Sequence, residues 1–371
     1  MKNPRKTRAD AAAFTQRIKK LRRVLAKAGL DETADFLVSA NSNIEYLCGF
    51  TGSYGFLLVS AEDAVLYTDG RYTTQAKSQA HGVRICESTQ RPLDQLISDL
   101  KEQRIRRLGV EENRISYALV QTLRRQLRRA RIEPLNGIVE QLRLVKTADE
   151  IQKIRRAARL NSKAFDEVCS RARSNWTEAR FAAEVDFTFR SLGAEGPGFE
   201  TIVASGPHSA LPHARARPQS IIPASLVVVD HGAILDGYNS DMTRTISFGR
   251  VGDEERRIFQ GVYEAQKAAV DKVRCGVKAA TVDRAARRVI EAFGLGDAFP
   301  HATGHGVGLE IHEQPRIGAG EQTRLASGMV ITIEPGAYVE GVGGVRIEDL
   351  VLVTKTGCEI LSRTPRRLRT L

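Results

Sequence analysis

The chain has 371 residues, of which 42% are hydrophobic and 27% are charged, and its formal net charge is +12 at pH 7. This length suits two domains, each able to bury its own core, and the composition excludes a disordered or fibrous chain. No stretch approaches the roughly 18 uninterrupted apolar residues that a membrane helix requires, so no membrane partner is expected.

The N-terminal segment and the cysteines bear on the cellular compartment. Residues 1–20 are basic and polar without an apolar core, which is not typical of a secretory signal. The cysteines are odd in number, widely spaced and without a Cys-x-x-Cys pair. We therefore expect a cytoplasmic protein with reduced cysteines, which are Cys48, Cys86, Cys169, Cys275 and Cys358.

Basic residues cluster at 104–107 and 124–129, which raises nucleic acid as a partner. Leu119, Leu123 and Leu127 recur every four residues, so the arginines between them occupy the outer face of an amphipathic helix. No aromatic residues accompany them as a stacking platform for bases. The pattern favours a solvated helix face, with an acidic partner or nucleic acid as the alternative.

The first half of the chain alternates predicted helices and strands. A helical stripe of apolar residues runs from Phe14 to Ala28 and ends at Gly29. The alternation predicts one compact α/β domain. The remaining elements are strands at 36–38, 55–59 and 64–67, a helix near 93–100, a strand at 108–110 and the arginine-rich helix.

From Glu150 onwards the pattern changes, and we place the boundary within 139–147, which gives domains at 1–140 and 141–371. Pairs of helices alternate with pairs of strands, which favours an α+β domain over a parallel doubly wound sheet. The predicted helices are 151–168, one that follows the N-cap Thr177, 254–274 and 281–293.

Two aspartates lie in a predicted β-hairpin. An apolar run leads into Asp230, Asp236-Gly237 is typical of a two-residue turn, and the return strand carries Asp241. Such a turn places Asp230 opposite Thr243, so Asp241 shares the face of Asp230. Two carboxylates this close are costly unless a cation lies between them or one is protonated. For an isolated pair, two solvent-facing turn acids are the alternative.

A glycine-rich loop gathers three of the seven histidines, His301, His305 and His312. Neutral imidazole is a good ligand for transition metals, and glycine lets a ligand approach the backbone closely. His301 and His305 have the spacing of a zinc-protease helix, but the residues between them lack the general-base glutamate and include a glycine. We therefore reject that motif.

Two glutamates complete the acidic set. Glu334 ends an apolar strand, and Glu348 lies on a later strand with Arg346 on the same face. A single glutamate at a strand end is usually structural. Four carboxylates and one imidazole at the ends of apolar strands instead favour a site for two cations, because carboxylates bridge cations and a glutamate also activates water.

These motifs resemble the pita-bread metallopeptidases. The resemblance rests on D-x-G…S-D-x-T-R-T, G-H-G-x-G-L, I-E-P-G and V-R-I-E-D. One departure is His231, directly after Asp230, where the family more often has a small or apolar residue, and its effect on the metal site stays open. The ligands that the resemblance implies are Asp230, Asp241, His305, Glu334 and Glu348.

The resemblance extends over nearly the whole chain and points to the Xaa-Pro peptidase branch. The segments 43–50 and 67–72 are similar to a creatinase-type N-terminal domain, and 142–151 and 205–213 match the same branch. It implies an α+β pita-bread catalytic domain after a smaller α/β domain. Catalytic roles are implied for His213, His312 and Glu334, and substrate contacts for Phe199, His213, His301 and Arg346.

The implied activity is release of the N-terminal residue from peptides with proline second, with two divalent metal ions per subunit. Mn²⁺ is the expected metal, and Co²⁺ and Zn²⁺ are alternatives. The family also implies a homodimer. Prolidase, which cleaves only dipeptides, is the alternative within the class, whereas the intact ligand set disfavours a creatinase-like amidinohydrolase. A non-catalytic binding module on the same scaffold is the alternative from another class.

Overall fold

The computed structural model divides into two compact units, residues 1–143 and 144–371. The first three residues of the basic N-terminal segment lie outside the described part of the chain. None of the described helices is long and apolar enough to cross a membrane. The structure describes residues 4–30, 34–87 and 91–371.

The N-terminal unit is a mixed sheet with helices. Its strands are β1 (Asp35–Val38), β2 (Phe56–Val59), β3 (Ala64–Thr68), β4 (Arg84–Glu87), β5 (Arg107–Glu111) and β6 (Arg131–Leu135). Its helices are α1 (Pro4–Lys27), α2 (Asn41–Cys48), α3 (Thr73–Gln79), α4 (Pro92–Glu102), α5 (Tyr117–Gln126) and α6 (Ile138–Arg143). The strand order is β4-β3-β2-β1-β5-β6, with β1 antiparallel to β2 and parallel to β5. The predicted α/β character is confirmed.

The arginine-rich helix is shorter than its leucine pattern suggests. Leu123 and Leu127 are buried, and the arginines at 124, 125, 128 and 129 are exposed. The helix α5 ends at Gln126, so Leu127 reaches the core from the turn that follows it. The outward orientation of the arginines is therefore confirmed, although only part of the pattern is helical.

The C-terminal unit combines four long helices with short strands. The helices are α7 (Ala148–Arg171), α8 (Glu178–Ser191), α9 (Asp253–Val270) and α10 (Ala279–Ala292). The first strands are β7 (Gly196–Pro197), β8 (Ile202–Ser205), β9 (Leu226–His231), β10 (Ala233–Leu235), β11 (Tyr238–Asn239), β12 (Met242–Ser247) and β13 (Gly304–Gly306). The later strands are β14 (Glu313–Ile317), β15 (Val330–Ile333), β16 (Gly336–Val339), β17 (Gly343–Arg346), β18 (Asp349–Val353), β19 (Cys358–Ile360) and β20 (Arg369–Thr370).

Two main sheets of this unit each pack against a helix pair. One has the order β20-β12-β9-β8, and its core residues pack with those of α7 and α8. The other has the order β14-β13-β15-β18-β19, and its core includes the apolar faces of α9 and α10. The pairing is antiparallel apart from β12 with β20. The α+β prediction is confirmed.

The hairpin that carries the two aspartates has the predicted register. Asp236 and Gly237 form its two-residue loop, with φ of 52° and 75°, as a type I′ turn requires. Asp230 pairs with Thr243 across β9 and β12. Gly232 lies at a bend where a Cβ would stand 2.2 Å from the Ser240 carbonyl oxygen, so only glycine fits there.

A fully buried arginine ties this hairpin to the second sheet. Arg244 on β12 donates to Asp349 Oδ1 over 2.7 Å and to the Glu348 carbonyl. It also donates to the Thr364 carbonyl, and Asp349 Oδ2 accepts from Gln266. The side chains of Arg244 and Asp349 are almost fully excluded from water. Loss of either one would leave the other as an uncompensated buried charge, which is strongly destabilising.

Replacement of Arg244 by methionine should lower the free energy of unfolding of the C-terminal unit by about 3–5 kcal/mol, because Asp349 and several carbonyls lose their donor. Urea unfolding monitored by fluorescence of the single tryptophan, the buried Trp176 in this unit, measures the change. The matched control is the exposed Arg250→Met. Equal midpoints for the two variants would contradict the role given to Arg244.

Candidate metal centre

Strand ends from both main sheets bring the five predicted ligands to one place. Asp230 lies on β9, and Asp241 directly precedes β12. His305 is the middle residue of β13, so it lies on a strand and not on a zinc-protease helix. Glu334 directly follows β15, and Glu348 directly precedes β18. The positions of the ligand side chains are therefore set by backbone segments in or next to paired strands.

His305 stands between the carboxylates. Its Nε2 atom is 3.3 Å from Glu334 Oε1 and 3.6 Å from Asp241 Oδ2. One ligand atom each of Asp241, His305 and Glu348 lie within 4.8 Å of one another. Asp230 belongs to the same cluster, because its charge contributes to the raised pKa values of Asp241 and Glu348.

The His305 ring is oriented by its neighbours. Its Nδ1 is 3.0 Å from the Gly306 carbonyl oxygen, which as an acceptor places the proton on Nδ1. Nε2 is then the ring nitrogen that faces the carboxylates, where it donates to Glu334 in the metal-free protein, and its lone pair would become available to a cation once that proton is released. The Thr332 hydroxyl accepts from the His305 backbone N–H and donates to Glu334 Oε1, which connects the two ligands.

The electrostatics of the cluster are those of crowded anions. Burial raises the pKa of Asp241, and the charges of Glu348, Asp230 and Glu334 raise it further. Burial and the charges of Glu334 and Asp230 likewise raise the pKa of Glu348. For Glu334, burial acts upward, but the hydrogen bond from His305 and the charges of His305 and Arg346 lower its pKa to about 2.

Arg346 is the fixed cation beside this cluster. Its Nη2 lies 2.7 Å from Asp230 Oδ2, and its Nη1 donates to the Tyr338 hydroxyl over 2.7 Å. Its Nε contacts the Thr243 hydroxyl, which also donates to Glu348 Oε2. Arg346 thus supports the carboxylate of Asp230 directly and that of Glu348 through Thr243.

The residues fit divalent cations. Asp230 Oδ1 is buried and has no hydrogen-bond partner among the described residues. One arginine faces four carboxylates, two of which have raised pKa values. A bound cation would satisfy the bare oxygen and relieve the repulsion. Carboxylate oxygens with one imidazole also form a donor set suited to Mn²⁺, Co²⁺ or Zn²⁺.

The predicted histidines lie around the cluster. His301 Nε2 is 3.0 Å from the Tyr338 hydroxyl, and the His301 carbonyl accepts from Arg287 on α10. The exposed His312 packs edge to face on His305, with 4.4 Å between the ring centres. Tyr338 and Arg287 were missed from the sequence. For Tyr338 a signal was available, since it lies four residues after Glu334 on the next strand.

The exposed His213 lies on a loop whose flanking residues are hydrogen-bonded to a buried glutamate. Glu178 accepts hydrogen bonds from the backbone N–H and the hydroxyl of Ser205, both over 2.9 Å. It also contacts His208 Nδ1 over 3.0 Å and accepts from Arg217 Nε over 3.0 Å. These contacts flank His213 on both sides in the chain. Glu178 was not predicted, because its partners are 27 to 39 residues away.

Phe199 lies beside the strand that carries Asp230, and His231 is the last residue of that strand. The Phe199 ring lies against Gly232, where a Cβ would stand 2.8 Å from a ring carbon. His231 points into the core, stacks on Phe165 and has its Nδ1 2.5 Å from Asn161 Oδ1. Burial lowers the pKa of His231 to about 3, so it is a neutral core residue. His231 therefore contributes to core packing on the face of β9 that points away from Asp230.

Comparison with known proteins agrees with this geometry. The family model described as Metallopeptidase family M24 matches residues 152–355, and that of the Creatinase/Prolidase N-terminal domain matches 17–145. A Xaa-Pro dipeptidase of Pyrococcus horikoshii is 36% identical over 356 residues, which are 96% of this chain and 99% of that protein.

Two solved structures are similar over most of the chain. A Xaa-Pro dipeptidase from Bacillus anthracis superposes with a TM-score of 0.93 at 37% identity and covers 96% of this chain and 100% of its own. An X-Pro aminopeptidase from Thermotoga maritima gives a TM-score of 0.85 at 36% identity, over 91% and 97% of the two chains.

The chain belongs to metallopeptidase family M24 and is a hydrolase. The predicted combination of a creatinase-type N-terminal domain with a pita-bread catalytic domain is confirmed. Family membership also implies binding of divalent metal, in agreement with the acidic cluster.

The pKa directions predict an unusual pH dependence of the metal-free protein. Between the ordinary and the raised pKa of Asp241, the folded state binds more protons than the unfolded state, so stability falls as pH rises. Glu334, with its lowered pKa, is ionised in both states above about pH 5.5 and adds no slope there. Asp241→Asn should therefore flatten the fall in melting temperature between pH 5.5 and 8 and lose metal.

Thermal melts with chelator test the slope, and elemental analysis of protein reconstituted with Mn²⁺ tests the metal content. The control is Asp236→Asn in the exposed turn of the same hairpin. Melting curves of Asp241→Asn that run parallel to those of the wild type, together with full metal content, would contradict the ligand assignment.

Proposed function

We propose that the chain is a Xaa-Pro dipeptidase that hydrolyses the bond between an N-terminal residue and a C-terminal proline. The observation that carries this proposal is the cluster of Asp241, His305 and Glu348, with Glu334 and Asp230 beside it, in a chain that matches Xaa-Pro dipeptidases over nearly its full length. These comparisons favour the dipeptidase alternative over the aminopeptidase first expected from the sequence. The likeness to an X-Pro aminopeptidase keeps that activity as the second candidate.

The proposed ligands would hold two divalent cations, with Mn²⁺ as the first choice. Bound there, the cations supply Lewis acidity for the attack of water on the scissile carbonyl. The donor set supports their binding, since four carboxylates can balance most of the charge of two such ions. The ligands are Asp230, Asp241, His305, Glu334 and Glu348.

Glu334 is the proposed proton acceptor. Its lowered pKa keeps it ionised at neutral pH, and such a weak base could take the proton of a water molecule made acidic by the cations that the site would hold. Arg346 holds Asp230 through the contact of 2.7 Å and keeps that carboxylate oriented. A proton on Glu334 can then be passed on toward the leaving nitrogen.

His312 and His213 are proposed to act on the substrate side. Partial desolvation on the side that faces the site lowers the pKa of His312, and the charge of His305 lowers it further, so its ring is neutral at pH 7 and able to donate one hydrogen bond. Such a ring stabilises the oxyanion, or relays the proton taken up by Glu334 to the proline nitrogen, receiving one proton as it gives one up. The charge of His213 also acts on the pKa of both His301 and His312, which supports a shared site.

Phe199, His301 and Arg346 complete the proposed substrate contacts. The Phe199 ring beside Gly232 offers an apolar surface next to the strand of Asp230, suitable for a proline ring. His301 and Arg346 both contact the Tyr338 hydroxyl, at 3.0 Å and 2.7 Å. This arrangement limits their freedom to turn, which supports recognition of a rigid X-Pro unit.

The Mn²⁺-reconstituted enzyme should cleave Xaa-Pro dipeptides at least tenfold faster than Xaa-Pro-Xaa tripeptides, and Xaa-Ala dipeptides far more slowly than either. N-acetylation should suppress cleavage, because a free amino end is proposed to be bound at the metals. Product analysis by chromatography measures all four substrates. Faster tripeptide cleavage would select the aminopeptidase, and equal rates for proline and alanine would refute Xaa-Pro selectivity.

We also propose a homodimeric, cytoplasmic protein with the domain division at residues 140 and 141. The family resemblance supports the dimer, and five free cysteines support a reducing compartment. Light scattering coupled to size exclusion should give twice the chain mass of 40.9 kDa at working concentrations. A fully active species of one chain mass would refute the dimer.

A further inference from the structure

The segment 142–151 resembles the family but received no chemical role from its sequence. In the structure its lysine is firmly anchored. The Lys146 backbone N–H donates to the Gly328 carbonyl over 2.9 Å. The next residue, Thr147, begins α7 with a capping box in which its side chain accepts from the Glu150 N–H and Glu150 accepts from the Thr147 N–H. The stem of Lys146 therefore starts from a fixed point.

The Lys146 side chain forms a buried ion pair. Its Nζ lies 2.8 Å from Glu313 Oε2, and the two side chains are only 3% and 6% exposed. Loss of one partner from such a pair leaves an uncompensated charge away from water, which is strongly destabilising. The pair links the start of the C-terminal unit to β14, 167 residues farther along the chain.

The Glu313 carboxylate contacts the backbone of the glycine-rich loop. Its Oε1 accepts from the Glu310 backbone N–H over 3.2 Å. At Gly308 a Cβ would stand 2.6 Å and 2.7 Å from the two carboxylate oxygens, so the loop backbone lies directly on the carboxylate. Asn239 fixes the same turn by donating from its backbone N–H to the Gly308 carbonyl over 2.8 Å.

His312 depends on this loop for its position. It directly precedes Glu313, is exposed, and packs edge to face with the His305 ring. No hydrogen bond holds its ring within the described chain. Its placement beside the metal centre is therefore set by the backbone that Glu313 holds, and a displacement of about 1 Å there is enough to reduce turnover strongly.

We propose that the Lys146–Glu313 ion pair is a positioning device for His312, which gives the segment 142–151 a role in turnover. The inference rests on the proposed peptidase function and on the role of His312 in it. Neither Lys146 nor Glu313 touches substrate. Both act through the loop that carries His312.

The test is a double-mutant cycle with Lys146→Met, Glu313→Met and the combined variant, with kcat, KM, metal content and melting temperature measured for each. Each single variant should lose 10- to 100-fold in kcat with metal retained, and should also lose thermal stability. The combined variant should regain stability, because a buried pair replaced by apolar residues is often neutral, but not kcat. The kcat of His312→Ala provides the reference for the largest loss of turnover expected from misplacing His312.

Hydrogen exchange of peptides covering 306–313 supplies a readout that needs no activity. Exchange should be faster in all three variants, including the combined variant with restored stability. The matched control is the exposed pair Lys163 and Glu167 on α7, where the same two substitutions should change neither kcat nor exchange.

The combined variant separates positioning from simple charge compensation. Recovery of kcat together with stability, or wild-type exchange in 306–313, would overturn the proposal. Full turnover by His312→Ala would overturn it as well. If the wild type itself failed to cleave Xaa-Pro peptides, the proposed function would fail, and the exchange measurement alone would still decide whether the ion pair orders the loop.

Discussion

The structure of the catalytic unit depends on one electrostatic constraint: four carboxylates meet in a largely buried space. Burial and mutual repulsion raise the pKa values of Asp241 and Glu348, which shows that the cluster is costly without a cation. Neighbouring side chains that are fixed in position offset part of this electrostatic repulsion. Arg346 neutralises Asp230 from one side, and Thr243 donates to Glu348 from another. Because a divalent metal would relieve the repulsion between these carboxylates, the site is expected to bind such an ion tightly.

The same constraint explains why the ligands sit on strand ends and not on flexible loops. Two sheets, each supported by its own helix pair, contribute ligands to one cluster. Arg244 joins these sheets, since it spans from β12 to the Glu348 carbonyl and to Asp349. A small shift of either sheet would separate ligands that must remain within a few ångströms, so a buried arginine network between them serves the geometry of the metal centre.

Local rules predicted the ligand-bearing elements well. The Asp236-Gly237 turn determines the register that places Asp230 opposite Thr243, and strand alternation places Arg346 and Glu348 on one face. Contacts between distant segments could not be predicted, because nothing local specifies them. Lys146 and Glu313 are one example, and the packing of His231 against Phe165 and Asn161 is another. The contacts of Tyr338 similarly require the fold to bring β16 beside β17.

The central claim is that the acidic cluster binds two divalent cations between the sheets. Anomalous diffraction from a crystal of the Mn²⁺-loaded protein tests it most directly, since manganese is located without reference to activity. We expect two anomalous peaks per chain, both among Asp230, Asp241, His305, Glu334 and Glu348. A single peak, peaks outside this set, or an empty cluster in a crystal that holds manganese elsewhere would contradict it.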